Sequence, residues 1–228
     1  MCLIKQRAKN PEQKALRRQH ILDATRKRFQ TLSYEEVNLN HVAADVGITK
    51  AALYRYFRNK ETLFLALFVE ALNELVNYSE QALKQNVETR EALAHTVTKS
   101  LVENPIYCKL SAILHTILER NLTLDEANQF KHRLLALLGQ YSQLLGQYPE
   151  FKHSSTQNST KVNTPDNTRV ISYLMQVQQA LIGVWHMTHP TGAIAQVIEV
   201  APLNIFKQDF SEALLAHIIK ITEMQIVQ

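Results

Sequence analysis

The segment from Asn38 to Phe57, "NLNHVAADVGITKAALYRYF", sets two short helical runs against each other across one glycine. Asn38 can cap the first run, because its side-chain oxygen accepts one of the free amide hydrogens in a helix's first turn. Gly47 ends that run, since the residue after a helix often takes the left-handed conformation that costs other residues a Cβ clash. Thr49 is then placed to cap a second run starting at Lys50. Two short helices joined by a tight glycine turn predict a helix-turn-helix. In it Leu53 and Phe57, four apart, face a core with Ile48, while Lys50, Ala51, Tyr54 and Arg55 point outward.

That outward set suits a DNA groove. Ala51 is small enough to let the helix approach base edges, Lys50 and Arg55 are donors, and the Tyr54 hydroxyl can reach a phosphate. Thr49 and the free amides beside it can hold another phosphate. Asn59 caps a following helix, "KETLFLALFVEALNELV", which leaves the Lys60 amine at a helix start and available to the nucleic-acid backbone. Ahead of the turn, Ile21, Ala24, Thr25, Phe29 and Leu32 recur at spacings of three and four, one apolar helix face. Arg17, Arg18, Arg26, Lys27 and Arg28 are left largely to its outer surface.

Charge agrees with a polyanion partner once it is divided along the chain. Residues 1–68 carry 13 Lys/Arg against 6 Asp/Glu, or +7, while residues 69–228 carry 12 against 15, or −3. Such a local excess points first to nucleic acid and second to an anionic membrane surface. Only 5 Gly and 6 Pro in 228 residues, with no strand-period segment, predict an all-α chain. Cys2 and Cys108 are far apart and lack metal or redox spacing, which favours a reducing cytoplasm over a disulfide scaffold. No apolar run reaches the roughly 20 residues of a membrane span. Residues 1–16 read as a basic flexible arm.

The run from Ile21 through Phe29, followed by "HVAADVGITKAALYRYFRNKETLF", resembles the DNA-binding domain of the tetracycline-repressor (TetR) family over about residues 17–68. Ser33 stands where that family usually has glycine, and Asn38 where it usually has threonine. The resemblance implies a helix-turn-helix domain at 17–64 and a helical ligand-binding and dimerisation domain at 65–228. It also implies a homodimer on a palindromic double-stranded operator, most simply as a repressor, with an activator of the same fold as the alternative. The DNA-facing set expected is Asn38, Asn40, His41, Thr49, Lys50, Ala51, Tyr54, Arg55, Tyr56 and Lys60. Of these, Tyr56 also reads as a core-edge aromatic, His41 as a solvated helix residue and Arg55 as a salt-bridge partner.

The larger module continues as amphipathic helices, broken at Pro105 and restarted by the capping box at Thr123 to Glu126. Residues 149–168 are polar and predict a mobile loop. Its sequon at Asn158 is read as chance. Two helices, at about 166–187 and 208–226, are apolar over more than a narrow stripe, which predicts a partner surface. By the resemblance, that partner is a second copy of the chain, pairing through these two helices.

A small-molecule effector is expected among residues 105–187, with Tyr107, Phe130, Tyr141, Met175 and Trp185 as walls and His115 as a polar anchor. Each of these also reads as an ordinary core residue. His186 and His189 are three apart, but Pro190 breaks the helix and no acidic or Cys ligand is near, so no metal site or cofactor is expected. The rival from another class is an all-helical metal-dependent enzyme. Its Glu-x-x-His pairs are absent, as are phosphate-binding glycine loops and a nucleophile elbow.

Overall fold

The computed structural model describes residues 10–84, 89–148, 151 and 167–224. Helix α1 (Pro11–Phe29) starts inside the stretch expected to be a flexible arm. The Asn10 side chain accepts from the Gln13 amide at 2.8 Å, and Pro11 and Glu12 occupy the first turn. A cap, a pre-set φ and an acidic residue at the positive helix end together favour that start. Residues 1–9 lie outside the described residues.

The helices α2 (Leu39–Asp45) and α3 (Lys50–Leu53) follow, then α4 (Lys60–Leu83), opened by a reciprocal cap between Asn59 and Thr62. Its 24 residues span about 36 Å and connect the two halves of the molecule. Near its start Phe64 packs edge-on against Phe29 and Tyr34, with centroids 5.1 and 4.9 Å apart. Such edge-to-face pairs contribute about 1 kcal/mol each beyond buried area. One turn on, Phe68, Leu72 and Leu75 enter the core of the larger half.

That half holds α5 (Arg90–Val102), α6 (Pro105–Ile113), α7 (Leu124–Leu145), α8 (Asn167–Thr188), α9 (Gly192–Val197) and α10 (Phe210–Met224). No strand occurs among the described residues. Helix α4 packs on α5, α6 and α7, α8 packs on α6 and α7, and α10 packs on α5 and α8.

Some details depart from expectation. The periodic run after Pro105 is interrupted at Leu114–Leu118 by a π-helical turn, a widening common at functional sites. The short α9 and a 3-10 turn at Leu203–Phe206 fill a stretch assigned no structure. Most of the polar segment 149–168 is outside the described residues, including its expected mobility. Phe151 within it is fully buried and edge-on to Tyr173 at 5.2 Å, so one aromatic of that segment belongs to the core. Arg17, expected on the surface, is 95% buried, and its guanidinium donates to the Val46 carbonyl that ends α2. It braces the helix-turn-helix from beneath.

Candidate functional site

Gly47 has φ of 68°, in the left-handed region, and the Ile48 amide donates to the Ala43 carbonyl at 2.9 Å. The chain therefore turns sharply. The Thr49 hydroxyl accepts from the Ala52 amide at 3.1 Å and fixes the start of α3. Leu53 and Phe57 are buried, as their spacing predicts, and Lys50, Ala51, Tyr54 and Arg55 are exposed. Lys50 lies 5.9 Å from the Tyr54 ring centroid. At the start of α2 the Asn38 side chain accepts from the Asn40 amide at 2.8 Å, and Asn38, Asn40 and His41 are all exposed. An exposed face with cations, hydroxyls and amides, held rigid from below, can bind phosphates and read base edges.

Arg55 makes no ion pair among the described residues, and Tyr56 is partly buried against the core. Tyr56 thus sits at the core edge, the alternative open to it. Lys60 is more committed than its position at a helix start suggests. Its ammonium lies 4.4 Å from the Tyr34 ring centroid and donates to the Glu35 carbonyl at 3.3 Å. Partial burial pulls its pKa below the ordinary lysine value, against the opposing pull of Glu35 and Glu61. The cause is the turn at 33–36. The Ser33 amide donates to the Glu36 carboxylate at 2.7 Å, and the Ser33 hydroxyl accepts from the Glu36 amide, which folds Tyr34 back over α4.

Two contacts tie this face to the larger half. Arg58, just after Phe57, is bidentate to the Glu126 carboxylate at 2.8 and 2.7 Å and donates to the Asn121 carbonyl at 2.6 Å. Arg58 and the Thr123 amide hold the Glu126 carboxyl down to about 2. Lys109 of α6 donates to the carbonyls of Phe29 and Leu32 at 2.8 and 2.7 Å, where α1 ends, and lies 4.3 Å from the Phe29 centroid. Cations are favoured at a helix C-terminus, where carbonyls lack helical partners.

Between α4, α5, α6, α7 and α8 lies a cavity of about 120 Å³. Its walls are largely apolar: Phe68, Leu72, Leu75, Val97, Leu101, Leu114, Leu134, Leu138, Leu174 and Val177. The Tyr107 hydroxyl donates to the Gln178 side-chain carbonyl at 2.7 Å, and Ser79 donates to the Tyr141 hydroxyl at 3.1 Å. Burial pushes both phenols up, so they remain neutral. At the exposed rim Glu119 lies 3.0 Å from His115 Nδ1 and 2.6 Å from the Lys131 ammonium. Burial raises the Glu119 carboxyl, but these two partners outweigh it and hold the group below its usual value.

Of the six expected effector residues, Tyr107, His115, Tyr141 and Met175 line this cavity. Phe130 does not: it lines a neighbouring opening and packs edge-on, at 6.1 Å, to Phe68, a residue of the cavity wall. Trp185 does not either, being stacked on His189 at 3.8 Å and edge-on to Phe210. His186 meets the Ala112 carbonyl at 3.1 Å, so the two histidines are committed to different partners. No group of three or more His, Cys, Asp or Glu that could hold a metal occurs among the described residues. The aliphatic wall was not singled out from the sequence, because its leucines keep the same spacing as every other core leucine. Gln178 and Lys131 were missed as well, one a partner of Tyr107 and the other at the rim.

Residues 21–67 match the family model of bacterial regulatory proteins of the tetR family, and residues 66–158 match that of the tetracyclin repressor-like C-terminal domain. The fatty acid metabolism regulator protein of Bacillus subtilis is 26% identical over 88 residues, 39% of this chain and 45% of that protein. The chain thus spans less than half the length of the first curated relatives it matches. The nucleoid occlusion factor SlmA of Idiomarina loihiensis is 25% identical over 190 residues, 82% of this chain and 86% of that one. The solved structure of Thermus thermophilus FadR, a TetR-family transcriptional repressor in complex with lauroyl-CoA, superposes with a TM-score of 0.56 at 16% identity. It covers 90% of this chain and 92% of that one, and the likeness is one of fold.

Proposed function

The chain belongs to the tetracycline-repressor (TetR) family of bacterial regulators, and from that premise we propose that it is a repressor that binds a palindromic operator as a homodimer and releases it when a small-molecule ligand bearing an apolar chain enters the α4–α8 cavity. The family and fold are those of transcriptional regulators rather than enzymes. Two copies of α3 would enter successive major grooves about 34 Å apart. Pairing through α8 and α10 accounts for Ile171, Met175 and Met187, which stand exposed along α8 in the monomer. No helix among the described residues is long and apolar enough to cross a membrane. The site of action would be the cytoplasm.

One observation carries the ligand response: the elements that wall the cavity also hold the DNA-binding face. Tyr107 and Lys109 are two apart on α6, one at the cavity and the other on the end of α1. Helix α7 bears both the cavity wall and Glu126, the partner of Arg58. The cavity has the volume of about four waters at roughly 30 Å³ each, too small for a long chain. A larger guest must displace α6 or α7 to enter. Since interiors are close-packed, that displacement is transmitted through Lys109 and Glu126. The lauroyl-CoA complex of Thermus thermophilus FadR supports an acyl chain as the class of guest, and the neutral phenols with a rim of His115 and Lys131 suit an apolar chain with an anionic end.

The test is selection of bound sequences from random duplex DNA, followed by titration of the winning site with and without lauroyl-CoA at fixed salt. A palindrome should be enriched, and lauroyl-CoA should weaken its binding. Enrichment of no palindrome overturns the operator model, and unchanged affinity overturns the acyl ligand.

A further inference from the structure

A neighbouring face of α7 lines a second opening, of about 240 Å³. Phe130 and Arg133 meet it from α7, Arg18 from α1, and Phe57 from beneath the recognition helix. Phe57 and Phe130 are buried and make an apolar floor. The Arg18 guanidinium lies 5.0 Å from the Phe57 centroid, while Arg133 is exposed. Burial lowers the Arg18 pKa, Glu70 opposes that, and the like charge of Arg133 lowers it further, so the two arginines are close enough to repel. Neither forms an ion pair among the described residues; Glu126, which also lines the opening, is held by Arg58, and Glu70 lies 3.7 Å from Arg26.

We propose that this interdomain cleft binds a small amphipathic anion, a carboxylate or phosphate ester bearing a short apolar chain, with Arg18 and Arg133 on the anion and Phe57 and Phe130 on the chain. An anion between two like charges over apolar surface replaces repulsion with charge-assisted hydrogen bonds. An engineered apolar cavity of about 150 Å³ holds benzene, so this opening is large enough for a guest of the size of hexanoate. Because its walls come from both halves of the molecule, an occupant holds α1 and the end of the recognition turn against α7.

The test is calorimetric titration of the full chain with hexanoate, n-butyl phosphate and the neutral hexanamide. At least one anion should bind, hexanamide should bind at least about tenfold more weakly, and Arg133→Gln should cost about tenfold, the loss of one charge-assisted contact. Arg133 is exposed, so this variant tests the site without threatening the core. Lys131→Gln, at the rim of the effector cavity, should leave the Arg133-dependent binding intact. Equal binding of hexanamide, indifference to Arg133→Gln, or no anion binding at all overturns the site. Loss on Lys131→Gln instead places the anion in the effector cavity and also overturns it. The relative affinity of the two anions tells carboxylate from phosphate. No DNA is present, so the result stands apart from the regulator assignment.

Discussion

Replacing Lys109 with methionine keeps the apolar stem over Phe29 and removes only the ammonium that joins α6 to α1. That ammonium donates to the carbonyls of Phe29, the last residue of α1, and of Leu32, just beyond it. A hydrogen bond from a charged donor contributes about 1.5–3 kcal/mol net, and a cation at a helix C-terminus about 0.3–1. The two bonds share one donor, and the freed carbonyls can regain water, so the expected loss is nearer to one bond than two, about 2 kcal/mol. With a urea slope of about 2 kcal/mol per molar, the unfolding midpoint should fall by about 1 M at fixed protein concentration. The same variant should blunt the weakening of operator binding by lauroyl-CoA about fivefold, a typical small coupling energy. Operator affinity without ligand should change much less. A midpoint shift below about 0.2 M together with an undiminished ligand response would refute the role of Lys109 as a tie between the halves.

Three further outcomes are expected. The Glu126 carboxyl is held at about 2 by Arg58 and Thr123, below its ordinary value of 4.5. The stability it adds is therefore complete above about pH 4.5 and lost as pH falls toward 2, so the melting-temperature advantage of wild type over Glu126→Gln should shrink across that window. Tyr54→Phe should weaken operator binding in a salt-controlled titration with the melting temperature unchanged, whereas Lys60→Ala should lower both, since its ammonium also packs on Tyr34. Thr49→Ala should cost about 1 kcal/mol in chemical denaturation, because it removes the side-chain cap of α3.

Much of the DNA-binding half could be read from local sequence. Gly47, Thr49, Asn38 and Asn59 act on their own neighbours within three residues, through a left-handed turn and side-chain caps. Such effects need no tertiary partner to be recognised. Leu53 and Phe57 were also legible, because helical spacing places both on one face. Lys60 was not, because its burial depends on a turn 25 residues earlier that folds Tyr34 and Glu35 over it. Arg17 was missed for the same kind of reason, its acceptor lying on α2.

In the larger half the sequence by itself determined helical periods, the break at Pro105 and the capping box at Thr123, all of them backbone preferences over one or two turns. Only the tertiary structure decided which apolar faces meet. It separated Phe130 and Trp185 from the cavity that Tyr107, His115, Tyr141 and Met175 share, because a cavity wall and a packed core use the same residues at the same spacing. It also brought Lys109 to the end of α1 and Arg58 to Glu126, across separations of 77 to 80 and of 68 residues. Those contacts depend on how helices cross, and helical periodicity carries no record of that.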